Sequence, residues 1–156
     1  MAIRGSCLCG GVRFEIDAAA GPFEICHCNR CRKVSGSFGM AGLGVRAEQF
    51  RLLRGRELIR SFAAPVLYEP PPYRTYFCSR CGSPVPDPEP ESDWFEIPAG
   101  VLDDDPGLRP DKHIFVELLP PWDRITDALP QLTLPDLLRH RGVEPPEDFR
   151  LRTHYD

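Results

Sequence analysis

Hydrophobic and polar residues alternate along several short segments of this chain. Val12, Phe14 and Ile16 are separated by charged residues, which is the period-two pattern of a strand that buries one face. Similar patterns predict strands at 23–28, 38–45, 73–77, 94–101 and 113–119. Helical signals are confined to short turns at 29–34 and 135–141, the second with proline near its start and glycine just past its end. The chain is therefore predicted to be mainly β.

Glycine and proline add three details to this pattern. The segment 38–45 holds Gly39, Gly42 and Gly44, which predicts a strand whose backbone is approached closely by another element or by a ligand. Segments 50–55 and 58–62 are predicted to form a hairpin that turns at Gly55. The stretch 66–72, which ends in three prolines, is predicted to be a loop.

The composition changes the picture mainly through proline. Proline supplies 18 of the 156 residues, against an average share of about 5%, and this disfavours long helices and favours short strands joined by rigid turns. The length predicts one domain over 1–156, with a loosely held tail from about 145. The net charge of −4 disfavours nucleic acid or an anionic membrane as the main partner.

Seven cysteines carry the candidate chemistry. The sequence shows no secretory signal ahead of them and no apolar run near the ~20 residues of a membrane span, so we expect a cytoplasmic, reducing location. Structural disulfides are rare there, and an odd number of thiols suits a disulfide framework poorly. A division into four and three fits one closed and one open metal site.

The sequence Cys26-His27-Cys28-Asn-Arg-Cys31 places three thiols within six residues. In an extended strand Cys26 and Cys28 share a face while His27 points to the opposite one, and a turn after Cys28 brings Cys31 to meet them. A tetrahedral zinc needs four ligands, and this group supplies three of them. Structural zinc sites are closed, whereas reactive ones keep one position open.

Two divisions of the seven sulfurs are compatible with their spacing. In the first, Cys7 and Cys9 join the Cys78-x-x-Cys81 motif in a four-thiolate site and the central three form the open site. In the second, Cys28, Cys31, Cys78 and Cys81 form a ribbon-like site and leave three cysteines scattered. Spacing favours the first only mildly. His27 or His113 as a fourth ligand would close the central site and remove its chemistry.

Three motifs resemble those of a known family. The segments GSCLCGGVRFEI, CHCNRCRKVSG and YFCSRCGSPVP occur in order and are similar to the glutathione-dependent formaldehyde-activating enzymes, whose relatives include the centromere protein V group. The resemblance extends from about Gly5 to about Leu132. It implies a β-tent-like zinc fold of small antiparallel sheets with short helical turns. It also implies structural Zn²⁺ on Cys7, Cys9, Cys78 and Cys81, and catalytic Zn²⁺ on Cys26, Cys28 and Cys31.

The chemistry of an open three-thiolate site agrees with that expectation. Zinc bound by three thiolates carries a net charge of −1 and is a poor activator of water, so a soft incoming thiol suits the fourth position better. Arg30, Arg32 and Lys33 lie beside the cluster and would offset its negative charge. The resemblance implies a carbon–sulfur lyase acting on glutathione and formaldehyde. The rival expectation is a non-catalytic zinc module that binds a partner protein.

Overall fold

The computed structural model describes residues 1–64, 73–145 and 147. Within them the protein is mainly β, as predicted, with short strands in three sheets and two short helices. The strands are β1 (Ile3–Ser6), β2 (Arg13–Ile16), β3 (Phe23–Cys26), β4 (Met40–Arg46), β5 (Phe50–Arg54), β6 (Ile59–Ala63), β7 (Arg74–Cys78), β8 (Trp94–Pro98), β9 (Lys112–Ile114) and β10 (Gln131–Leu132). The helices are α1 (Asn29–Ser35) and α2 (Leu134–His140).

The first sheet has the order β1-β2-β5, with both strand pairs antiparallel. Phe14 and Ile16 of β2 are fully buried while Arg13 is exposed, which confirms the alternation read from the sequence. These side chains pack with Leu43 and Ile97 of the neighbouring sheet in one hydrophobic core. The first sheet therefore forms one wall of that core, and the turn between β1 and β2 projects the first two cysteines beyond it.

The second sheet has five strands in the order β10-β9-β3-β4-β8. Its central strand, β3, ends at Cys26. β3 pairs antiparallel with β4 but parallel with β9, and β9 also pairs parallel with β10. The expectation of antiparallel sheets thus holds for most pairs and fails at β9. The long connection through α1, β4 and later strands allows β9 to enter beside β3 in the same direction.

The predicted hairpin at 50–55 and 58–62 is wrong. β5 pairs with β2, whereas β6 pairs with β7 in a separate two-stranded sheet. Gly55 does turn the chain, at φ 88°, but its backbone sits against Gly11 and Val12, where an added Cβ would lie 2.4 Å from the Gly11 oxygen. A 3-10 turn at Arg56–Leu58 then directs β6 towards a different partner. The local sequence thus predicts the turn at Gly55 correctly, but it does not predict which strands pair with β5 and β6.

Three predicted strands end earlier than expected. The strand at 23–28 stops at Cys26, that at 94–101 at Pro98, and that at 113–119 at Ile114. The last ends because Phe115 adopts a left-handed conformation with φ 57°. The predicted loop at 66–72 lies outside the described residues, as does the predicted tail apart from positions 145 and 147.

The predicted close approach along 38–45 is confirmed at β4. A Cβ added at Gly44 would lie 2.5 Å from the Gly21 carbonyl oxygen, so only glycine lets the turn before β3 pack against β4. A Cβ at Gly42 would lie 3.0 Å from a carboxylate oxygen of Glu96 on β8. The glycines of β4 therefore make room for backbone at one position and for a charged side chain at another.

Helix α2 covers the end of the second sheet where Cys26 lies. It begins with a capping box in which Thr133 and Asp136 bond each other's backbone N–H groups. Leu134 and Leu137 are buried in the same hydrophobic cluster as Cys28 and Cys31. The packing of α2 thus forms the apolar side of the central cysteine group.

Candidate metal centres

The four outer cysteines converge at one place. The sulfurs of Cys7, Cys9, Cys78 and Cys81 all lie within 4.8 Å of one another. The Cys7 and Cys9 sulfurs are 3.5 Å apart, and those of Cys9 and Cys78 are 3.9 Å apart. Sulfurs bound to one tetrahedral zinc at about 2.3 Å lie ~3.8 Å apart, so this group could hold a metal ion on four thiolates.

Two glycine-containing turns bring these cysteines together. Gly10 and Gly82 have φ values of 66° and 75°, which close the turns after Cys9 and Cys81. The Leu8 N–H donates to the Ser83 hydroxyl over 3.0 Å and joins the two turns directly. The hydroxyl of Ser83 lies 3.4 Å from the Cys81 sulfur. This contact, hydrogen bonds to the backbone of Ser83 and Cys9, and the Cys78 sulfur together lower the pKa of Cys81 to about 5. Thiolate character at Cys81 favours metal binding.

The three inner cysteines form a second group. The sulfurs of Cys26, Cys28 and Cys31 lie within 4.8 Å of one another, and no described histidine or carboxylate joins them. Cys26 ends β3, Cys28 caps α1, and Cys31 is in its first turn. The Cys28 sulfur accepts from the Cys31 N–H over 3.4 Å. The cysteines therefore group as in the first of the two divisions considered from the sequence.

The inner sulfurs need a cation if all three are to be thiolates. Hydrogen bonds from Cys26 and Cys31 hold the pKa of Cys28 far below its usual range. The bond to the Cys28 thiolate, the contact with Cys31 and burial then raise the pKa of Cys26 well above the usual value. Three buried negative charges repel one another unless a metal compensates them. A soft tetrahedral cation such as Zn²⁺ fits this donor set.

Arg30 is the cation placed to act on the inner group. Its guanidinium stacks 4.9 Å from the centre of the Tyr73 ring, and its Nε is buried without a hydrogen-bond acceptor among the described residues. The contacts with Cys26 and Cys31 lower the pKa of Cys28 most, burial opposes this, and the positive charge of Arg30 lowers the pKa further. Arg32 and Lys33 lie in the last turn of α1. Of the three charges expected beside the cluster, the structure places Arg30 there, whereas Arg32 and Lys33 line a different pocket with Phe38 and Trp122.

A pocket of about 430 Å³ opens beside the inner cysteines. Met40 lines it, pairs with Cys26 across β3 and β4, and packs against the hydrophobic cluster that contains Cys28 and Cys31. Tyr73 is on its wall, where burial and then the negative inner sulfurs raise the pKa of Tyr73. Arg74, Asp87 and Glu96 supply charges of both signs to the lining. The volume is within the ~300–1,000 Å³ range of small-molecule sites.

Glu96 is the carboxylate of this pocket that the sequence analysis missed. It lines the pocket together with its neighbours Phe95 and Ile97 on β8, and its carboxylate lies over Gly42 of β4, another lining residue. The surrounding protein and the charge of Glu24 raise its pKa, although it keeps access to solvent. The alternation along β8 was the signal that could have placed it opposite the core.

His27 and His113 do not belong to either cysteine group. The two rings are buried and stack on each other with centroids 5.0 Å apart. His27 thus occupies the face opposite the sulfurs, as the alternation predicted, and lies inside the protein. The juxtaposition of His27 with His113 was not expected from the sequence because the two are far apart along the chain.

The fold and the two thiol groups together describe a small β protein with two sites that could hold metal ions. The family model for glutathione-dependent formaldehyde-activating enzymes matches residues 2–118. A protein of Halomonas elongata, provisionally named a glutathione-dependent formaldehyde-activating enzyme, is 34% identical over 133 residues, which cover 80% of this chain and 82% of that protein. The chain belongs to the glutathione-dependent formaldehyde-activating enzyme family, which confirms the resemblance seen in its cysteine motifs.

A solved structure supports the fold independently. The crystal structure of a Rhodobacter sphaeroides protein aligns with a TM-score of 0.50 and 19% sequence identity. The alignment covers 83% of this chain and 99% of that chain. At this identity the likeness concerns the fold alone. Within the described residues, no helix has both the length and the apolar character needed to span a membrane.

Proposed function

We propose that this protein is a zinc-dependent carbon–sulfur lyase that joins glutathione, or a similar thiol, to formaldehyde and also reverses the reaction. Cys26, Cys28 and Cys31 would hold the catalytic zinc, and Cys7, Cys9, Cys78 and Cys81 the structural one. The observation that carries the proposal is the unequal convergence of the sulfurs, four in one group and three in the other. Family membership supplies the thiol and the aldehyde.

Zinc at the inner site would hold an incoming thiol as its thiolate, the nucleophilic form, at neutral pH. The thiol proton would pass to solvent, and the thiolate sulfur would attack the carbonyl carbon of formaldehyde. A C–S bond would form, the C=O π bond would break, and the resulting alkoxide would take a proton from solvent to give the S-hydroxymethyl adduct. The reverse reaction breaks the same C–S bond and returns thiol and aldehyde, so no oxidant or reductant is required.

The residues around the inner group contribute charge compensation. A fourth thiolate would bring the site to a net charge of −2, and the Arg30 guanidinium lies close enough to lower the pKa of Cys28. Stacking on the Tyr73 ring holds that guanidinium in place, and no carboxylate of the described residues forms an ion pair with it. On the side of the inner cysteines that faces α2, the buried side chains of Leu134 and Leu137 are apolar, and this limits water around the nucleophile.

The proposal is tested by thiol-dependent consumption of formaldehyde. The zinc-loaded protein should accelerate adduct formation above the uncatalysed rate with glutathione present, and titration calorimetry should show glutathione binding with a stoichiometry of about one per chain. Heat-inactivated protein measures the spontaneous reaction. A rate equal to this background, together with no heat of binding, would favour the rival function as a non-catalytic binding module.

The neighbouring pocket would receive the remainder of the thiol substrate. Glutathione carries one ammonium and two carboxylates, and the lining offers Glu96 and Asp87 for the first and Arg74 for the second. An ammonium beside Glu96 would offset the cost that burial and Glu24 impose on its charge. We propose Glu96 as the group that recognises the ammonium.

Replacing Glu96 with glutamine should weaken glutathione binding by about tenfold or more, because a charge-assisted hydrogen bond contributes roughly 1.5–3 kcal/mol. Binding of 3-mercaptopropionate, which has a thiol and a carboxylate but no ammonium, should change little. Titration calorimetry with both thiols measures the difference. Glu48→Gln removes an exposed carboxylate that is not among the residues lining the pocket and serves as the control. Equal losses for both thiols would contradict the role.

A further inference from the structure

A hydrogen-bonded pair of histidines lies behind the inner cysteines. The side chains of His27 and His113 are 1% and 4% exposed, and His27 Nε2 is 2.7 Å from His113 Nδ1. Burying two imidazoles is unfavourable unless their nitrogens are bonded, so a contact this short defines their arrangement. Neither ring takes part in the proposed reaction. The pair therefore calls for a separate explanation.

The chain of contacts continues to Asp127. His113 Nε2 lies 3.1 and 3.2 Å from the two carboxylate oxygens of Asp127. An ionised carboxylate only accepts, so His113 donates from Nε2. The Leu129 N–H donates to Asp127 over 2.9 Å and fixes the far end. At the other end His27 Nδ1 lies 3.2 Å from the Phe38 carbonyl oxygen, so both outer nitrogens of the histidine pair face acceptors and the His27–His113 contact joins the two ends.

The near end of this chain lies between two of the inner cysteines. His27 separates Cys26 from Cys28, and the backbone N–H of His27 donates to the Ile114 carbonyl over 3.0 Å. Its ring fits tightly, because a Cβ at position 39 would lie 3.3 Å from His27 Nδ1. Since consecutive side chains on an extended segment point to opposite faces, fixing His27 also fixes the direction of the sulfurs on either side.

We propose that His27, His113 and Asp127 form a positioning chain that holds the Cys26–Cys28 backbone, so that both sulfurs face the same metal ion. The inference rests on the proposed zinc site at the inner group. It makes that site depend on residues 113 and 127, which are remote in sequence from every cysteine of the inner group. Partners that orient metal ligands in this indirect way typically change metal affinity by about 10–100-fold when removed.

The test uses two variants that break the same link. Asp127→Ala removes the carboxylate, whose side chain is 51% exposed, so no cavity is left in the core. His113→Asn retains an acceptor for His27 but cannot reach Asp127. His140→Asn replaces an exposed histidine of α2 and is the matched control. Zinc release is followed during titration with a chelator, and the four-cysteine site in the same molecule serves as the internal reference.

Asp127→Ala and His113→Asn should each release one zinc at a chelator concentration about tenfold lower than the unmodified protein, with release of the second zinc unchanged. The control His140→Asn should behave like the unmodified protein. The double variant should match the single ones, because both changes break one chain. In the cobalt-substituted protein, the sulfur-to-cobalt absorption of one site alone should weaken. If His113→Asn fails to fold, Asp127→Ala decides the question.

Release profiles identical to the unmodified protein would overturn the positioning chain, as would parallel loss of both metals. The unmodified protein must first bind two metals per chain. If it binds only one, the proposed inner zinc site is wrong and the inference falls with it. The two failures are therefore distinguishable by metal stoichiometry alone, without an activity measurement.

Discussion

Replacing Cys81 with serine should lower the melting temperature by roughly 5–16 °C and make one zinc per chain removable by a moderate chelator. A closed structural zinc site contributes roughly 10–16 kcal/mol of apparent binding energy, which acts as folding energy. If losing one of four ligands forfeits about a quarter of this, the loss is about 2.5–4 kcal/mol. At ~2–4 °C per kcal/mol for a chain of this size, the melting temperature falls by about 5–16 °C. Thermal unfolding and metal analysis measure both effects.

Two further variants separate metal loss from packing at this site. Cys81 is only partly buried, so serine there creates little cavity. Cys81→His offers an imidazole that zinc accepts, and this variant should retain two metals and recover part of the stability. Ser79→Ala changes an exposed residue of the same turn and should be neutral. A Cys81→Ser protein that keeps two zinc ions and its melting temperature would show that the outer group is not a structural zinc site.

The strands were predictable because their signals are local. The alternation in β2 and the glycine spacing of β4 each report which face of a strand is buried, and the structure has both. Pairing is not local. The segments 50–55 and 58–62 look like a hairpin, yet their partners are strands before and after them in the chain. Gly55 packs closely against the backbone of Gly11, a contact between distant segments that the hydrophobic periodicity of either segment does not reveal.

The cysteine groups were only partly predictable for a related reason. Cys26, Cys28 and Cys31 are near neighbours in sequence, so their convergence follows from one strand end and one helical turn. Whether Cys78 joined them or joined Cys7 depended on the packing of β7 against β6 and the first turn, which spacing favoured only mildly. The structure places Cys78 with Cys7 and Cys9.

The residues around the inner site show the limit of sequence reasoning most clearly. Arg30 could be placed because it lies within the cysteine motif itself. His113, Asp127 and Glu96 reach the site through strands β9 and β8 and a loop, and each is an ordinary polar residue when considered alone. Only the parallel pairing of β9 with β3 brings His113 opposite Ile25, and so beside His27.

Replacing Cys28 with serine should abolish thiol-dependent formaldehyde turnover while preserving the local fold. Cys28 occupies the N-cap of α1, where its sulfur accepts from the Cys31 N–H. Serine is a preferred N-cap residue, so the helix start should be kept or improved. A neutral hydroxyl replaces the thiolate, however, and the inner group falls to two sulfurs. Two thiolates and no third charged ligand should not retain zinc against a moderate chelator.

The loss of activity should exceed about 100-fold. Without metal, only a few per cent of a free thiol is thiolate near pH 7, which alone reduces the nucleophile by roughly 30-fold. Loss of the fixed position for that thiolate adds a further factor from proximity. The variant should bind one zinc per chain, give no heat with glutathione and melt within a few degrees of the unmodified protein, since the outer site is intact. Cys28→Ser protein that still binds glutathione with unchanged affinity would place the thiol site elsewhere, because the three inner sulfurs are what make a fourth position available.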